Sequence, residues 1–479
     1  MMNEVKLAGL EPAPVFSIFE KICSLPHGSR NTARLRAWLV EFAKERNLRC
    51  LCDEGGNVII FKDAAPGYEN HPPLILQSHM DMVCAKDADC SVNMEQDGLE
   101  LMRDGEYVWA KGTSLGADDG LGMAYILAIL DDTTLPHPAL EAVFTDSEEV
   151  GMGGAKQLDC SVLKGKRMLN MDTFNEGVFT VGCAGGAKVD CSIPAVYTPC
   201  SGTFLQVNLE NFRGGHSGAN IHKPLANCIK ALADLLTEIR ELTSIRLVKM
   251  QGGTSPNAIP KDVFATIVLE NPCADAVSAL CQALQNKIRE SFDEPDAVIS
   301  TQPAKKTAAI SQADTNRIID LLREAPNGVQ TWIAELPDVV QTSLNIGRIG
   351  LDEQFLAEYQ LRSSVLAEKE VLKQDLVKLG ENHGFAVRCH GENPAWPYRK
   401  ESPLCSAMSE TWKEMFGYEP KVAVFHVGLE CGIFSEKIPD LEAVSTCSSA
   451  FGVHTSKEKL SIPSVQRFWP FLKKLLSQL

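Results

Sequence analysis

Two acidic side chains, Glu148 and Glu149, stand next to each other in the stretch AVFTDSEEVGMGGA, residues 142–155. The stretch begins apolar, turns polar at the pair and closes in a glycine-rich turn. Adjacent residues of an extended chain point to opposite sides. At the frayed end of a strand one carboxylate can therefore bind a cation while its neighbour faces a substrate. Four more residues with ligand chemistry close apolar segments or turns. His79 follows the run PLILQS, Asp118 lies in GADDG, Asp172 ends KRMLNMD, and His454 stands in GVHT near the end of the chain. Singly, each has an ordinary structural reading: a hydrogen-bonded histidine, a helix N-cap, a charged loop. Together with Glu149 they make two imidazoles and three carboxylates, a nitrogen and oxygen set that suits zinc, or manganese and cobalt. Two such ions, about 3.5–4 Å apart, need one shared carboxylate and clamp both oxygens of a developing tetrahedral centre. The inventory meets that need with one bridge, and one histidine and one further acid for each ion. Asp81, two residues past His79 and so on the same side of the chain, can accept a hydrogen bond from the His79 ring and orient it.

Such residues need elements to hold them. Residues 73–78 and 139–145 are apolar on both faces, which suits parallel strands covered by helices. Residues 166–171 read as a third strand. All three lead into a histidine or an acid, and ligands of open α/β sheets gather at that carboxyl edge. The GADDG turn opens onto an apolar helix over 121–130. Residues 11–24 and 32–45 read as helices, the second with Leu35, Leu39, Phe42 and Ala43 at helical spacing after Asn31 as N-cap. Residues 57–62 read as a strand. The expected fold class is α/β, a catalytic domain with a mostly parallel central sheet flanked by helices.

After Gly182 the texture changes, and CAGGA at 183–187 reads as a hinge. The next span carries one pattern twice. The first copy has a strand at 203–208, a helix at 225–239, strands at 245–250 and 263–270, a helix at 274–291 and a strand at 297–301. That is the ferredoxin-like β-α-β-β-α-β order. The second copy has a helix at 315–324, strands at 329–335 and 355–363, a helix at 366–383 and a strand at 385–390. Both are expected to place Thr-Ser-x-Asn between their middle strands: Thr254, Ser255 and Asn257, then Thr342, Ser343 and Asn345. The proline-rich 393–403 reads as a return hinge, followed by a helix at 404–416, strands at 421–426 and 441–445, and a closing helix at 464–479. The expected domains are thus 1–185 with 402–479, which carry the metal site, and an inserted α+β lid, 186–401. The lid divides into repeats of about 186–303 and about 304–401.

Composition bounds the function. A chain of 479 residues exceeds one ordinary domain. The net charge of −16 argues against nucleic acid or an anionic membrane as partner, since both reward basic patches. The sixteen cysteines are scattered and include no C-x-x-C, so they read as reduced cytosolic thiols. The N-terminal stretch lacks the pattern of a signal peptide, and no apolar run approaches membrane-spanning length. The expected location is the cytoplasm.

His79-x-Asp81, Asp118, Glu148-Glu149, Asp172 and the late His454 together resemble the co-catalytic zinc exopeptidases and amidohydrolases. The nearest branch is that of the Xaa-His (aminoacylhistidine) dipeptidases. The stretches LPHGSRNT, LQSHMDMVCAK, GTSLGADDGLGMA, EEVGMGGA, FRGGHSGANIH, GGTSPNAIP and HVGLECG carry this resemblance, which runs from Leu25 to His454. It implies two divalent cations per chain, zinc first, with cobalt or manganese as alternatives. Asp118 would bridge them, His79 and Asp172 would complete one site, and Glu149 and His454 the other. Glu148 would be the general base on a metal-bridging water, with Asp81 beside it as the second catalytic residue. The resemblance further implies that His216, Asn257, Arg362 and Gly428 contact substrate, His216 at the scissile carbonyl and Arg362 at a C-terminal carboxylate. The implied reaction is hydrolysis of small dipeptides, Xaa-His such as β-alanyl-histidine preferred. An N-acyl amino acid amidohydrolase, or a non-catalytic peptide binder, are the alternatives. In single-lid relatives the lid histidine and asparagine serve the neighbouring subunit. With two lid copies in one chain, a homodimer would not be required for the active site. Two departures stand out: Ser147 where the family often has Asp, and Asp119 where the branch often has Asn. His222, His426 and Glu430 lie in matching stretches with no role to assign, and Cys84 and Cys431 read as packing thiols.

Overall fold

The computed structural model describes residues 6–479. They form two compact units. The first takes the chain up to Gly182, then Trp396–Val424 and Leu429–Leu479; the second takes Cys183–Ala395 and Phe425–Gly428.

The first unit is built on an eight-stranded sheet. Its order is Arg49–Cys52, Val58–Lys62, Leu140–Thr145, Leu74–His79, Arg167–Asn170, Glu442–Ser445, Val178–Cys183 and Lys421–Phe425. The four central strands from Leu140–Thr145 to Glu442–Ser445 run parallel, while Val58–Lys62, Arg49–Cys52 and Val178–Cys183 each pair antiparallel with the neighbour nearer the centre. Every residue of Leu74–His79 and Leu140–Thr145 is buried, as expected of strands covered on both faces. The three neighbours Leu140–Thr145, Leu74–His79 and Arg167–Asn170 end at one edge of the sheet. That is why Glu148 and Glu149, His79 and Asp172 meet although up to 93 residues separate paired positions such as Gln77 and Asn170. The helix Ala117–Asp131 is buried along nearly its whole length and packs on the helix Ala13–Cys23. Asp118 and Asp119 at its start have non-helical dihedrals. Before them Gly116 sits at φ +68°, where a Cβ would stand 2.8 Å from Met82 Sδ, so only glycine fits this turn.

One local expectation fails here. Asn31 does not cap the second helix, which runs Ala33–Glu45 with Thr32 at the N-cap position. The Asn31 side chain donates to Glu95 O instead, and Thr32 Oγ1 donates to Asp146. A four-stranded antiparallel sheet, Ala450–Phe451, Lys459–Ser461, Tyr107–Ala110 and Leu101–Arg103, was not foreseen. Its short hairpin carries His454 at the tip.

The second unit is a nine-stranded sheet with helices. Its principal strands are β1 (Gly185–Pro194), β2 (Thr203–Glu210), β3 (Ile245–Gly252), β4 (Val263–Leu269), β5 (Val298–Pro303), β6 (Leu336–Leu351), β7 (Gln354–Ser363) and β8 (Ala386–Asn393). They lie in the order β5-β2-β4-β3-β6-β7-β1-β8, and Gly328–Ile333 pairs with β6 off this path. Each half has the order of a split β-α-β-β-α-β unit. The halves join at their β3 and β6 edges, Met250 opposite Leu351 and Gly252 opposite Ile349. One core runs through both, from Leu205 and Leu232 to Ile318, Ile346 and Tyr359.

Three details differ from the sequence reading. The strand that completes the second half is β1, which precedes the first half in the chain, so the first repeat is inserted into the second. The supposed hinge at 183–187 runs directly into that ten-residue strand. The second Thr-Ser-x-Asn does not lie between strands: Thr342, Ser343 and Asn345 are within β6, whose 16 residues include a polar run and two glycines that hide its alternation.

Candidate functional site

In the first unit His79, Asp118, Glu149, Asp172 and His454 converge. Three sets of three residues bring ligand atoms within 4.8 Å of one another: His79 with Asp118 and Asp172, Asp118 with Glu149 and His454, and His79 with Glu148 and Glu149. Asp118 belongs to the first two. Its Oδ1 is 3.0 Å from His79 Nε2 and its Oδ2 is 3.1 Å from His454 Nε2. His79 Nε2 is 3.7 Å from Asp172 Oδ1, and His454 Nε2 is 2.9 Å from Glu149 Oε1. Each set holds one imidazole and two carboxylates, with both Nε2 atoms turned towards the shared acid. This donor set fits a pair of divalent cations bridged by Asp118.

The electrostatics of the metal-free cluster agree. Burial opposes a charged His79, yet the carboxylates of Asp118, Asp172 and Asp81 around the ring hold its pKa well above the ordinary value. Asp118 is held well below the carboxylate range: burial pushes it up, but His454 and His79 outweigh that. Hydrogen bonds donated to Asp118 and Glu149 lift His454 to about 10. Glu148 rises to about 8 through burial, with His79 opposing and Glu430, Glu149 and Asp118 adding to the rise.

Asp81 works differently from the expected ring acceptor. The His79 Nδ1 hydrogen bond, 2.9 Å, is to the Asp81 backbone carbonyl, and the nearer carboxylate oxygen is 3.6 Å away. The carboxylate instead accepts from Ser29 Oγ and from the backbone N–H groups of Glu148 and Glu149. It therefore fixes the backbone from which the two glutamates diverge. Asp119 is fully buried, its Oδ2 accepts the His79 N–H, and burial raises its pKa strongly.

Of two buried acids around the cluster, the sequence reading missed Glu458 and named Glu430 without a role. Glu458 accepts hydrogen bonds from the backbone N–H groups of Leu115, Gly116, Ala117 and Asp118, at 2.8, 3.0, 2.9 and 3.4 Å. It ties the loop of His454 to the turn of Asp118. Its position four residues past His454 was the only signal available. Glu430 accepts from Gln77 Nε2 and Thr145 Oγ1, and Gln77 Oε1 accepts from Asn170. Glu430 thus joins the ends of the three ligand-bearing strands. Burial first, with Asp81 contributing, holds it near 7 against the pull of His79 and its two hydrogen bonds.

The other predicted residues lie in the second unit. His216 pairs with Ala258 in a two-stranded ladder beside Asn257. Its Nδ1 accepts from the backbone N–H groups of Gly218 and Ala219, which leaves the hydrogen on Nε2. Burial and the charge of Arg362 push His216 down to about 4, so the ring is a neutral donor at pH 7. Arg362 is buried, with Nε 3.5 Å from Ser217 Oγ and no carboxylate paired to it among the described residues. A buried guanidinium without a counter-ion is a ready partner for an anion. His426 hydrogen-bonds Ser343 Oγ through Nε2 at 2.7 Å, and burial, then Arg362, hold it near 3. Gly428 follows in the segment Phe425–Gly428, which belongs to the same unit. Asn257 is exposed.

Two histidine–carboxylate triads sharing one acid, at the carboxyl edge of an α/β sheet, define a hydrolase of the two-metal kind. Residues 75–478 match peptidase family M20/M25/M40, and the chain belongs to that family. It is 34% identical over 480 residues to the cytosol non-specific dipeptidase of Escherichia coli, covering 99% of both chains. Its structure is similar to the crystal structure of aminoacylhistidine dipeptidase from Vibrio alginolyticus, with TM-score 0.91, 33% identity, and coverage of 100% of this chain and 98% of that one. A tripeptidase from Staphylococcus aureus shares the fold at TM-score 0.57 and 15% identity, with 98% of both chains covered. No helix among the described residues is long and apolar enough to cross a membrane.

Proposed function

We propose that the protein is a cytoplasmic dipeptidase that uses two divalent cations, zinc first, and prefers Xaa-His substrates such as β-alanyl-histidine. The observation that carries this reading is the pair of triads sharing Asp118, and the full-length likeness to two dipeptidases supports it. His79, Asp118 and Asp172 would hold one cation, and Asp118, Glu149 and His454 the other. Bound cations supply Lewis acidity to the carbonyl and acidify the attacking water. Glu148 takes the proton of that water and returns it to the leaving amine. Asp81 holds the Glu148 and Glu149 amides and so fixes where both carboxylates point. The neutral His216 donates its Nε2 hydrogen to the scissile carbonyl oxygen, Asn257 and the Gly428 backbone orient the peptide, and Arg362 takes its C-terminal carboxylate.

Three results are expected. Metal-reconstituted protein hydrolyses dipeptides, Xaa-His fastest, and leaves longer peptides intact. C-terminal amidation raises KM sharply, since a hydrogen bond to a charged group contributes about 1.5–3 kcal/mol. Faster release from an N-acyl amino acid than from any dipeptide would overturn the substrate class. An amide cleaved as well as the acid would remove Arg362 from its role.

The second result concerns protons. His454, lifted to about 10, carries a proton in the metal-free cluster at pH 7.5, the neighbouring acids hold the His79 pKa up as well, and an imidazole must be neutral to ligate. Metal binding therefore releases protons. Apparent affinity rises with pH and flattens as pH passes the His454 value of about 10. Calorimetry in two buffers of unlike ionisation enthalpy counts the protons, and a count of zero contradicts the ligand set.

The third concerns Glu458. Gln at this position replaces one acceptor oxygen by donors that face backbone N–H groups. Glu458→Gln should weaken metal binding by about 10–100-fold, the usual effect of losing a group that orients ligands. Equilibrium metal titration reads this directly.

A further inference from the structure

Asn345 is the point at which the two halves of the second unit grip each other. It lies in β6 and is 1% exposed. Its Nδ2 donates to Pro256 O and to Ala258 O, both at 2.9 Å. Its Oδ1 is 3.3 Å from Asn227 Nδ2, which also donates to Ile346 O. The two carbonyls it holds flank Asn257. The Asn257 carbonyl accepts the Ser217 N–H at 2.8 Å, and Ala258 pairs with His216. The loop is also seated on β6 by backbone contact. A Cβ on Gly253, at φ +69°, would meet Gly347 O at 1.9 Å, and one on Gly347 would meet Ser255 O at 2.4 Å.

We propose that Asn345 is a positioning residue that fixes the Asn257 side chain by holding the two peptide carbonyls on either side of it. The inference rests on the role given above to Asn257. The chemistry singles out an asparagine. Two carbonyls need two N–H donors from one group, and the primary amide supplies both while its oxygen serves Asn227. An aspartate would set lone pairs against lone pairs, and a serine offers one donor.

The same motif thereby does two jobs. In the first half Thr-Ser-x-Asn forms a loop that exposes Asn257, with Ser255 Oγ 2.5 Å from Asn257 Oδ1. In the second half it is strand. Thr342 bonds Glu368 and Ser363, Ser343 bonds His426, and Asn345 turns to the first half's loop. The first copy presents, and the second holds.

The test is a double-mutant cycle on the full metal-loaded chain, with a dipeptide substrate, kcat and KM read separately, and metal content and thermal melting measured alongside. Asn345→Asp is expected to lower kcat/KM by about 100-fold, the scale of an ångström misplacement of a reacting group, with both cations retained. Asn345→Ser, small enough to admit a water to the second carbonyl, is the variant for the cycle should the aspartate fail to fold. If Asn345 acts through Asn257, the double variant Asn345→Ser with Asn257→Ala is no slower than Asn257→Ala alone. Losses that multiply in the double variant, or wild-type kinetics in Asn345→Ser and Asn345→Asp, overturn the inference while leaving the role of Asn257 intact. Wild-type kinetics in Asn257→Ala overturn the role of Asn257 itself, and the inference with it.

Discussion

Glu148→Gln is expected to keep both cations and to lose turnover by about 10²–10⁴-fold, the contribution of a general base. The two glutamates leave a backbone that Asp81 fixes from below through both N–H groups. From there Glu149 reaches His454 and Asp118, while Glu148 is raised to about 8 by burial and by the acids around it. Bound cations would draw that carboxyl down again, leaving it ionised near neutral pH and able to accept a proton. Gln keeps the shape and removes the basicity. Glu149→Gln is expected to act on the other quantity: it takes a charged ligand from the triad with Asp118 and His454, so one of two cations binds weakly. Metal analysis of the two variants after dialysis separates the roles. Loss of metal in Glu148→Gln with full occupancy in Glu149→Gln would reverse them.

The second large effect concerns which chain supplies the lid residues. Mixing inactive Glu148→Gln and His216→Ala proteins, under conditions that exchange subunits, is expected to restore no activity. Both halves of the second unit are in one sheet, joined edge to edge at Met250–Leu351. His216 and Asn257 come from the first half and Arg362 from the second, and they are already together. Arg362 approaches Ser217, and its charge depresses His216. That grouping within one unit is the ground for expecting each chain to supply its own lid residues. If His216 served a neighbouring chain instead, a mixed dimer would contain one complete site, and activity would return on mixing.

The candidate ligands were legible in the sequence because chemistry and punctuation coincide there. His79, Glu149 and Asp172 stand where apolar runs stop, and a parallel sheet brings such stops to one edge. Asp118, in the turn before a buried helix, and His454, at the tip of an antiparallel hairpin, reach the cluster by paths that this rule does not give. What remained hidden depends on the path of the chain in space. Glu458 and Glu430 act through backbone amides and neutral side chains of distant segments, and nothing in spacing marks such partners. The duplicated lid was readable as element order. Its nesting was not, because β1 stands before the first repeat and pairs with strands more than 150 residues later. Asn345 carried the motif of Asn257 but not its setting, since β6 conceals a strand behind Thr342, Ser343 and two glycines.

The central claim is that Asp118 joins two metal sites that together hydrolyse a dipeptide. Metal-free protein titrated with zinc, while β-alanyl-histidine hydrolysis is followed, tests it directly. The account predicts no turnover without metal, and activity that rises until two equivalents are bound per chain. Saturation at one equivalent, or hydrolysis that persists in the metal-free protein, would contradict it.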